Sequence, residues 1–250
     1  MTTTVLADQL RQLDTDGYAM LPDVLPAGEC DYWSVVLDRI WEREHDKPHT
    51  YDDEPGVRYV ENLLEYYSMF QRCVTEEVVV AAAGAILGPG MRFSLINYRR
   101  TEPGSGNQAL HCQKLAHGSP PRACDAIWCL DEFTALNGTR VLPGSHVDNH
   151  AVLARLDDPL ARHPGERVIQ ASRGSVLVFS ASLIHGGTTN RGTGPRRCIL
   201  TQFVRAGQQP RFDWSQLPLP IQRQFRPDAA GLLSLPSHDA LAQRSNHRRS

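Results

Sequence analysis

Along the first ninety residues the apolar side chains recur at helical spacing. Leu6, Leu10 and Leu13 share one face, and Asp16-Gly17 closes that segment. Pro26 sits where a first helical turn tolerates it, and Trp33, Leu37, Ile40, Trp41 and Glu44 mark a second amphipathic helix. Residues 45–62 (HDKPHTYDDEPGVRYVEN) are polar and punctuated and predict a loop, with Tyr51 and Arg58 on it. Thr75-Glu76-Glu77 is expected to cap a third helix through Leu87, which Gly88-Pro89-Gly90 stops. Beyond Gly90 the period changes from 3.6 to 2. Runs rich in β-branched and aromatic residues follow at 91–99, 108–113, 126–133, 139–142, 166–171, 175–180 and 196–204, separated by turn clusters such as EPGSGN, HGSPPR and NRGTGP. Seven or eight short strands predict a sandwich or barrel, closed or nearly so, with helices packed outside.

The expected organisation is one domain over residues 1–250. Residues 1–90 form a helical buttress with a lid loop, 91–206 the β core, and 207–250 a Pro-, Gln- and Arg-rich extension whose end is mobile. A chain of 250 residues buries roughly 70% of its unfolded surface, enough for a core without disulfides or a structural metal. Twenty-six Lys and Arg against 28 Asp and Glu give a net charge of −2, which excludes a basic nucleic-acid footprint and an acidic, solvated chain. The longest apolar run, 78–87, is about half of what spans a bilayer, so no membrane segment is expected. The start lacks the basic and apolar regions of a secretory signal, which predicts a cytoplasmic, reduced protein. Cys112, Cys124 and Cys129 invite a zinc reading, but an offset of five along a strand points Cys124 and Cys129 to opposite faces, and buried free thiols are expected.

Three segments carry candidate chemistry. In Ala109-Leu110-His111-Cys112-Gln113, His111 and Gln113 share a strand face. The apolar strand Gly174 to Phe179 leads to Leu183-Ile184-His185-Gly186-Gly187. In the last segment Arg196 has the parity of Cys198, Leu200, Gln202 and Val204, which places it inside, where a guanidinium needs an anionic partner. Arg197 then points outward, unless a β-bulge exchanges the two.

With the start ending in DGYAMLPDVLP, the helix ending in ILGPG, LHCQ, LNGTRVLPGSH and RGSVLVFSASLIHGGTTN, these segments resemble the phytanoyl-CoA dioxygenase family of iron(II)- and 2-oxoglutarate-dependent oxygenases over nearly the whole chain. The resemblance implies a double-stranded β-helix, a cupin-like jelly roll buttressed by helices. It implies iron(II), 2-oxoglutarate and dioxygen as cofactor and cosubstrates. His111 and His185 match the two iron-binding histidines, and Arg196 matches the arginine that grips the far carboxylate of 2-oxoglutarate. Gln113 stands where the family pattern has aspartate. It is a neutral third ligand, or it is bypassed by a site of two histidines and water, or it marks a degenerate site in a protein that only binds a small acid. Its bulk disfavours the halide binding of halogenating relatives, which carry a small residue there.

Asn97, on the strand before the His-x-Gln pair, is a candidate for the inner carboxylate of the oxoacid. His117 is a substrate contact or a surface residue, His146 and Asn137-Gly138 read as turn chemistry, and Tyr66, Tyr67 and Phe70 read as packing. The expected activity is hydroxylation, desaturation or cyclisation of a small, natural-product-like molecule, with no nucleic-acid or membrane partner. The rivals are a catalytically degenerate member that acts as a small-molecule-binding protein, and a metalloenzyme with non-standard chemistry.

Overall fold

Alternation along the strands after Gly90 sorts side chains onto two faces, and in the long strands of the larger sheet both faces are largely buried. The computed structural model describes residues 3–47, 54–116 and 118–236, with the side chains of residues 3–6 left aside. Within them run α1 (Thr3–Asp16), β1 (Tyr18–Leu21), α2 (Ala27–Glu44), β2 (Val57–Val60), α3 (Arg72–Thr75), α4 (Glu77–Leu87), β3 (Arg92–Thr101), β4 (Ala123–Cys129), β5 (Thr139–Val141), α5 (Asn149–Leu153), β6 (Arg167–Ile169), β7 (Val176–Ser180), β8 (His185–Gly187), β9 (Arg196–Val204), α6 (Leu219–Gln222) and α7 (Pro227–Leu232). A six-stranded antiparallel sheet in the order β1-β7-β4-β9-β3-β2 faces a three-stranded sheet in the order β6-β5-β8. This is the jelly-roll arrangement of a double-stranded β-helix with flanking helices, and the two sheets do not close into a barrel.

β4 shows how the large sheet serves two layers. Cys124, Ala126 and Trp128 join the core that α2 and α4 cover with Trp33, Leu37, Ile40, Val79, Ala82 and Leu87. Ile127 and Cys129 instead join Leu177, Phe179 and Cys198 in a second cluster between the sheets. Cys124 and Cys129 therefore lie on opposite faces, and all six cysteines are free thiols. At the α2 entry, Gly174 adopts φ +86, and its carbonyl receives the N–H groups of Val24 and Leu25. A Cβ there would lie 2.1 Å from the Leu25 carbonyl oxygen, so only glycine fits this crossing.

Several expectations are corrected. The first ninety residues are not all helical, because β1 and β2 form the two edges of the large sheet. Four-residue runs such as Tyr18–Leu21 carry too little periodicity to be told from a helix end, and pairing with β7 decides the conformation. Thr75 and Glu76 do not cap α4 with their side chains; the Thr75 hydroxyl donates back to Gln71 O, and the Glu76 carboxylate pairs with Arg72. The segment after Gln208 is not loose as far as residue 236. Trp214, Leu217, Phe225, Ala229 and Leu233 are buried in the helix-side core, and the Trp214 indole donates to Phe93 O at 2.9 Å. Those apolar residues are scattered between prolines without a period, so the pattern hides them. Tyr51, His117 and residues 237–250 lie outside the described residues. Among the described residues, no helix is long and apolar enough to cross a membrane.

Candidate functional site

After β3 the chain crosses to the edge of the small sheet and runs beside β8. His111 and His185 exchange both main-chain hydrogen bonds at 2.9 Å, Gln108 N–H donates to Gly187 O, and Gln113 N–H donates to Ala181 O. The predicted strand 108–113 is reduced to the single His111–His185 bridge, because the Leu110 N–H is taken by Pro159 O. Directly opposed residues of an antiparallel pair project to the same side, and the two imidazole centroids lie 4.4 Å apart.

Each ring is held the same way. The His111 Nδ1–H donates to Ala109 O at 2.8 Å, and the His185 Nδ1–H donates to Leu183 O at 2.9 Å. With Nδ1 facing a carbonyl, the proton belongs on Nδ1, and each Nε2 keeps its lone pair for a metal. Burial, and after it the neighbouring His111, pull the His185 pKa down to about 3, against the Leu183 bond, so its imidazole is neutral at physiological pH. Phe179 stands edge-on to His185 with centroids 4.6 Å apart.

Both histidines line a cavity of about 200 Å³ between the sheets, and Arg196 lines it too. The β3–β9 register is regular from Leu95/Gln202 to Thr101/Arg196, so the inward parity of Arg196 holds. Only 2% of it is exposed. Its guanidinium donates to the carbonyls of Asn137 and Gly138 and to Thr101 Oγ1 at 3.3 Å, and it lies 5.5 Å from the Phe133 ring. The Asn137-Gly138 turn thus supplies the carbonyls that hold the arginine. Nε of Arg196 has no partner, and no carboxylate pairs with this arginine among the described residues. Burial, then the charge of Arg99, lower its pKa to about 10, which leaves it cationic and in need of an anion. Arg197 points the other way into a bidentate pair with Asp131 at 2.7 and 2.8 Å.

Gln113 and Asn97 are not in the cavity lining. Gln113 is anchored through its main chain to Ala181 and Asn149, while its Oε1 is buried and makes no hydrogen bond. An orphaned amide oxygen two residues from His111 is a donor atom looking for an electrophile. No His, Cys, Asp or Glu completes a three-residue metal cluster with the histidines among the described residues. Asn97 occupies the cavity face of β3 between Leu95 and Arg99, but its Oδ1 accepts the Asn62 N–H at 3.0 Å and ties down the segment after β2.

Sequence reasoning missed two polar groups of the lining. Arg99 is buried, pairs with Glu54 at 2.6 Å, and donates to the Tyr59 hydroxyl and Thr101 Oγ1. Gln108 joins them, donating to Glu54 and accepting the Gly187 N–H. Burial raises the Glu54 carboxyl, but the Arg99 charge and the bonds from Tyr59, Arg99 and Gln108 hold it below the usual range. The second group is Asp125 with Gln202 and Arg211. The signal was there in both cases: Arg99 has the parity of Leu95, and Asp125 that of Ile127, each a polar residue on an inward face.

The remaining residues behave structurally. His146 packs against Gly17 and contacts Asp14 O, Phe70 packs edge-on against Trp33, and Tyr66 packs on the same core while Tyr67 is exposed. Arg58 stacks 4.1 Å over Trp41 and pairs with Glu102.

The profile of the phytanoyl-CoA dioxygenase (PhyH) family matches residues 13–198. The chain is 25% identical to the methylphosphonate hydroxylase of Gimesia maris over 81% of its own length and 82% of that protein's. The structure of HygX from Streptomyces hygroscopicus, solved with nickel, 2-oxoglutarate and hygromycin B bound, superposes with a TM-score of 0.68 at 17% identity, covering 84% of this chain and 90% of HygX. The non-heme α-ketoglutarate-dependent epimerase SnoN from nogalamycin biosynthesis superposes with a TM-score of 0.64 at 18% identity, covering 82% and 84%. A profile match across three quarters of the sequence, on a jelly roll whose cavity is lined by two Nδ1-anchored histidines, makes the chain a member of the phytanoyl-CoA dioxygenase family.

Proposed function

We propose that this dioxygenase holds iron(II) on His111 Nε2, His185 Nε2 and Gln113 Oε1, binds 2-oxoglutarate against Arg196, and oxidises a small molecule. The observation that carries the reading is the convergence on one cavity of two Nδ1-anchored imidazoles and a buried guanidinium without a carboxylate. The donor set suits the metal: two neutral nitrogens and one oxygen leave open positions, as oxygen-activating iron(II) sites require. Once bound, iron(II) with 2-oxoglutarate supplies oxygen activation coupled to decarboxylation of the oxoacid to succinate.

The chain's own residues do the rest. The carbonyls of Ala109 and Leu183 orient the two rings and raise their basicity. Arg196 and Thr101 receive the far carboxylate, which repays the cost of burying the guanidinium. Gly187 lets the 106–108 backbone close on β8 beside Arg196, since a Cβ there would lie 2.7 Å from the Gly106 carbonyl oxygen and 3.3 Å from Arg196 Nη2. Phe133, Phe179, Ile127 and Leu200 keep the cavity apolar around the reacting carbon.

The substrate fits the class suggested by the relatives of natural-product pathways, a small metabolite that is hydroxylated, desaturated, epimerised or cyclised. Action in the cytoplasm agrees with six free thiols. A second reading, a binding protein that keeps the oxoacid pocket without turnover, is favoured by one observation: no carboxylate stands beside the histidines among the described residues. Succinate release separates the two. Protein loaded with iron(II), 2-oxoglutarate and air forms succinate under the first reading. Under the second it binds 2-oxoglutarate and forms none, and a Gln113→Asp variant restores turnover.

A further inference from the structure

The cavity has two poles. Arg196, Cys198, Leu200 and Gln202 alternate along its β9 wall, and Arg196 to Gln202 is six residues, or about 20 Å of strand. At the pole away from Arg196 stands Asp125. It is directly paired with Phe179 on one side and Gln202 on the other. Phe179 is the ring that meets His185 edge-on. Asp125 is therefore one strand from Phe179, on the far side from Arg196.

The carboxylate is held by a built network. The Arg211 N–H donates to Ser94 Oγ at 2.9 Å, the Ser94 hydroxyl donates to Gln202 Oε1 at 3.0 Å, and Gln202 Nε2 donates to Asp125 Oδ1 at 2.9 Å. Ser94 occupies the position where the β3–β9 register shifts, between Phe93 and Leu95, which turns its hydroxyl toward Gln202. This relay fixes the glutamine with its donor edge on Oδ1. Oδ2 has no hydrogen bond, and Asp125 makes no ion pair among the described residues. Burial pushes its pKa up to about 6, against the Gln202 bond and the Arg211 charge, so near neutral pH the group is an anion kept in a partly dry wall.

If the oxoacid lies between the histidines and Arg196, as proposed above, the Asp125 pole is what remains for the substrate. We propose that Asp125 is the specificity-determining acceptor for a hydrogen-bond donor on that substrate, and that the best-matched donor is a protonated amine, with a hydroxyl second. A neutral hydroxyl satisfies Oδ2, whereas an ammonium also neutralises the charge. Gln202 and Ser94 are positioning residues: they hold Oδ1 so that Oδ2 faces the cavity.

The proposal rests on the reading of the metal site, so the test reads both separately. Cyclohexylamine, cyclohexanol and cyclohexanecarboxylate are titrated by ligand-detected NMR into the full chain, metal-free and loaded with nickel(II) and 2-oxoglutarate. The wild-type protein is expected to bind the amine at least tenfold more tightly than the carboxylate, with the alcohol between. Asp125→Asn places an amide donor or a neutral oxygen at the Oδ2 position and is expected to reduce that preference below threefold, while melting shows it folded. Gln202→Ala, which keeps the charge but frees its orientation, is expected to weaken amine binding severalfold and serves if Asp125→Asn does not fold. Equal binding of amine and carboxylate by the wild type, no binding of any probe, or an unchanged preference in the variants overturns the proposal. Failure of the wild type to bind nickel and 2-oxoglutarate overturns the metal-site reading instead, and the metal-free comparison of amine binding between wild type and Asp125→Asn, which Arg196 does not bias, still judges Asp125.

Discussion

His111 and His185 are joined by a reciprocal pair of 2.9 Å main-chain hydrogen bonds, and each imidazole is tethered through Nδ1 to the carbonyl two residues before it. Backbone pairing and ring orientation are thus set by the same short stretch of sheet. The two rings form one rigid element whose geometry the fold itself sets, as the proposed iron site requires.

Replacing either histidine removes half of that element. His111→Ala and His185→Ala are each expected to weaken iron(II) or nickel(II) binding by roughly 100-fold or more, beyond the ~10–100-fold loss that follows disturbance of a supporting partner. Metal titration with a chromophoric competitor measures it. Affinities within threefold of wild type would show that the metal binds elsewhere.

Arg196 and Arg197 are neighbours with opposite duties. Arg196→Ala is expected to weaken 2-oxoglutarate binding by roughly 10–100-fold, the worth of about 1.5–3 kcal/mol for a bond to a charged group. Arg197→Ala loses its bidentate pair with Asp131, which costs about 1 kcal/mol of stability for a half-buried ion pair and leaves oxoacid affinity within threefold. Calorimetry with 2-oxoglutarate and thermal melting of both variants check the contrast, and equal oxoacid losses would contradict it.

Gln113 presents a buried amide oxygen without a partner. Changing it to aspartate exchanges a neutral donor for an anion near a dication, so Gln113→Asp is expected to tighten iron(II) binding by about tenfold or more. Anaerobic iron titration measures it, and an unchanged affinity would mean that Gln113 does not face the metal.

Asp125 makes stability depend on pH with a sign opposite to that of a salt-bridged carboxylate. Its pKa is raised from 3.8 to about 6 in the folded state, so between those values the folded protein binds more protons than the unfolded chain, and stability falls as pH rises. The contribution is fully present below pH ~4 and gone above pH ~6, amounting to about 1–3 kcal/mol. Asp125→Asn lacks this titration, so denaturant unfolding should show the variant gaining on wild type from pH 4 to pH 7. A constant difference across that range would contradict the assignment.

The legible parts of the sequence were those where one rule acted alone. The β9 boundaries at 196 and 204, and the inward parity of Arg196, follow from an uninterrupted alternation that the β3 register preserves. The segment Tyr18–Leu21 was not legible, because a four-residue strand takes its conformation from β7, 155 or more residues away. Arg99 closes the expected strand 91–99 with the inward parity of Leu95, but the partner that lets a guanidinium be buried there, Glu54, lies 45 residues away on the expected loop. Trp214 and Phe225 lacked a period, yet they cover the helix-side core. That His111, His185 and Arg196 line one cavity was expected from their order and spacing. The placement of Asn97, whose amide is used by Asn62, was not, since that bond spans 35 residues.

The account stands on a single metal–oxoacid complex shared by the two imidazoles and the Arg196 guanidinium, and a crystal structure with nickel(II) and 2-oxoglutarate tests it most directly. The expected result is nickel about 2 Å from both Nε2 atoms and a carboxylate of the oxoacid within about 3.2 Å of Arg196. Nickel on other residues, or an oxoacid whose carboxylates both avoid Arg196, would contradict it.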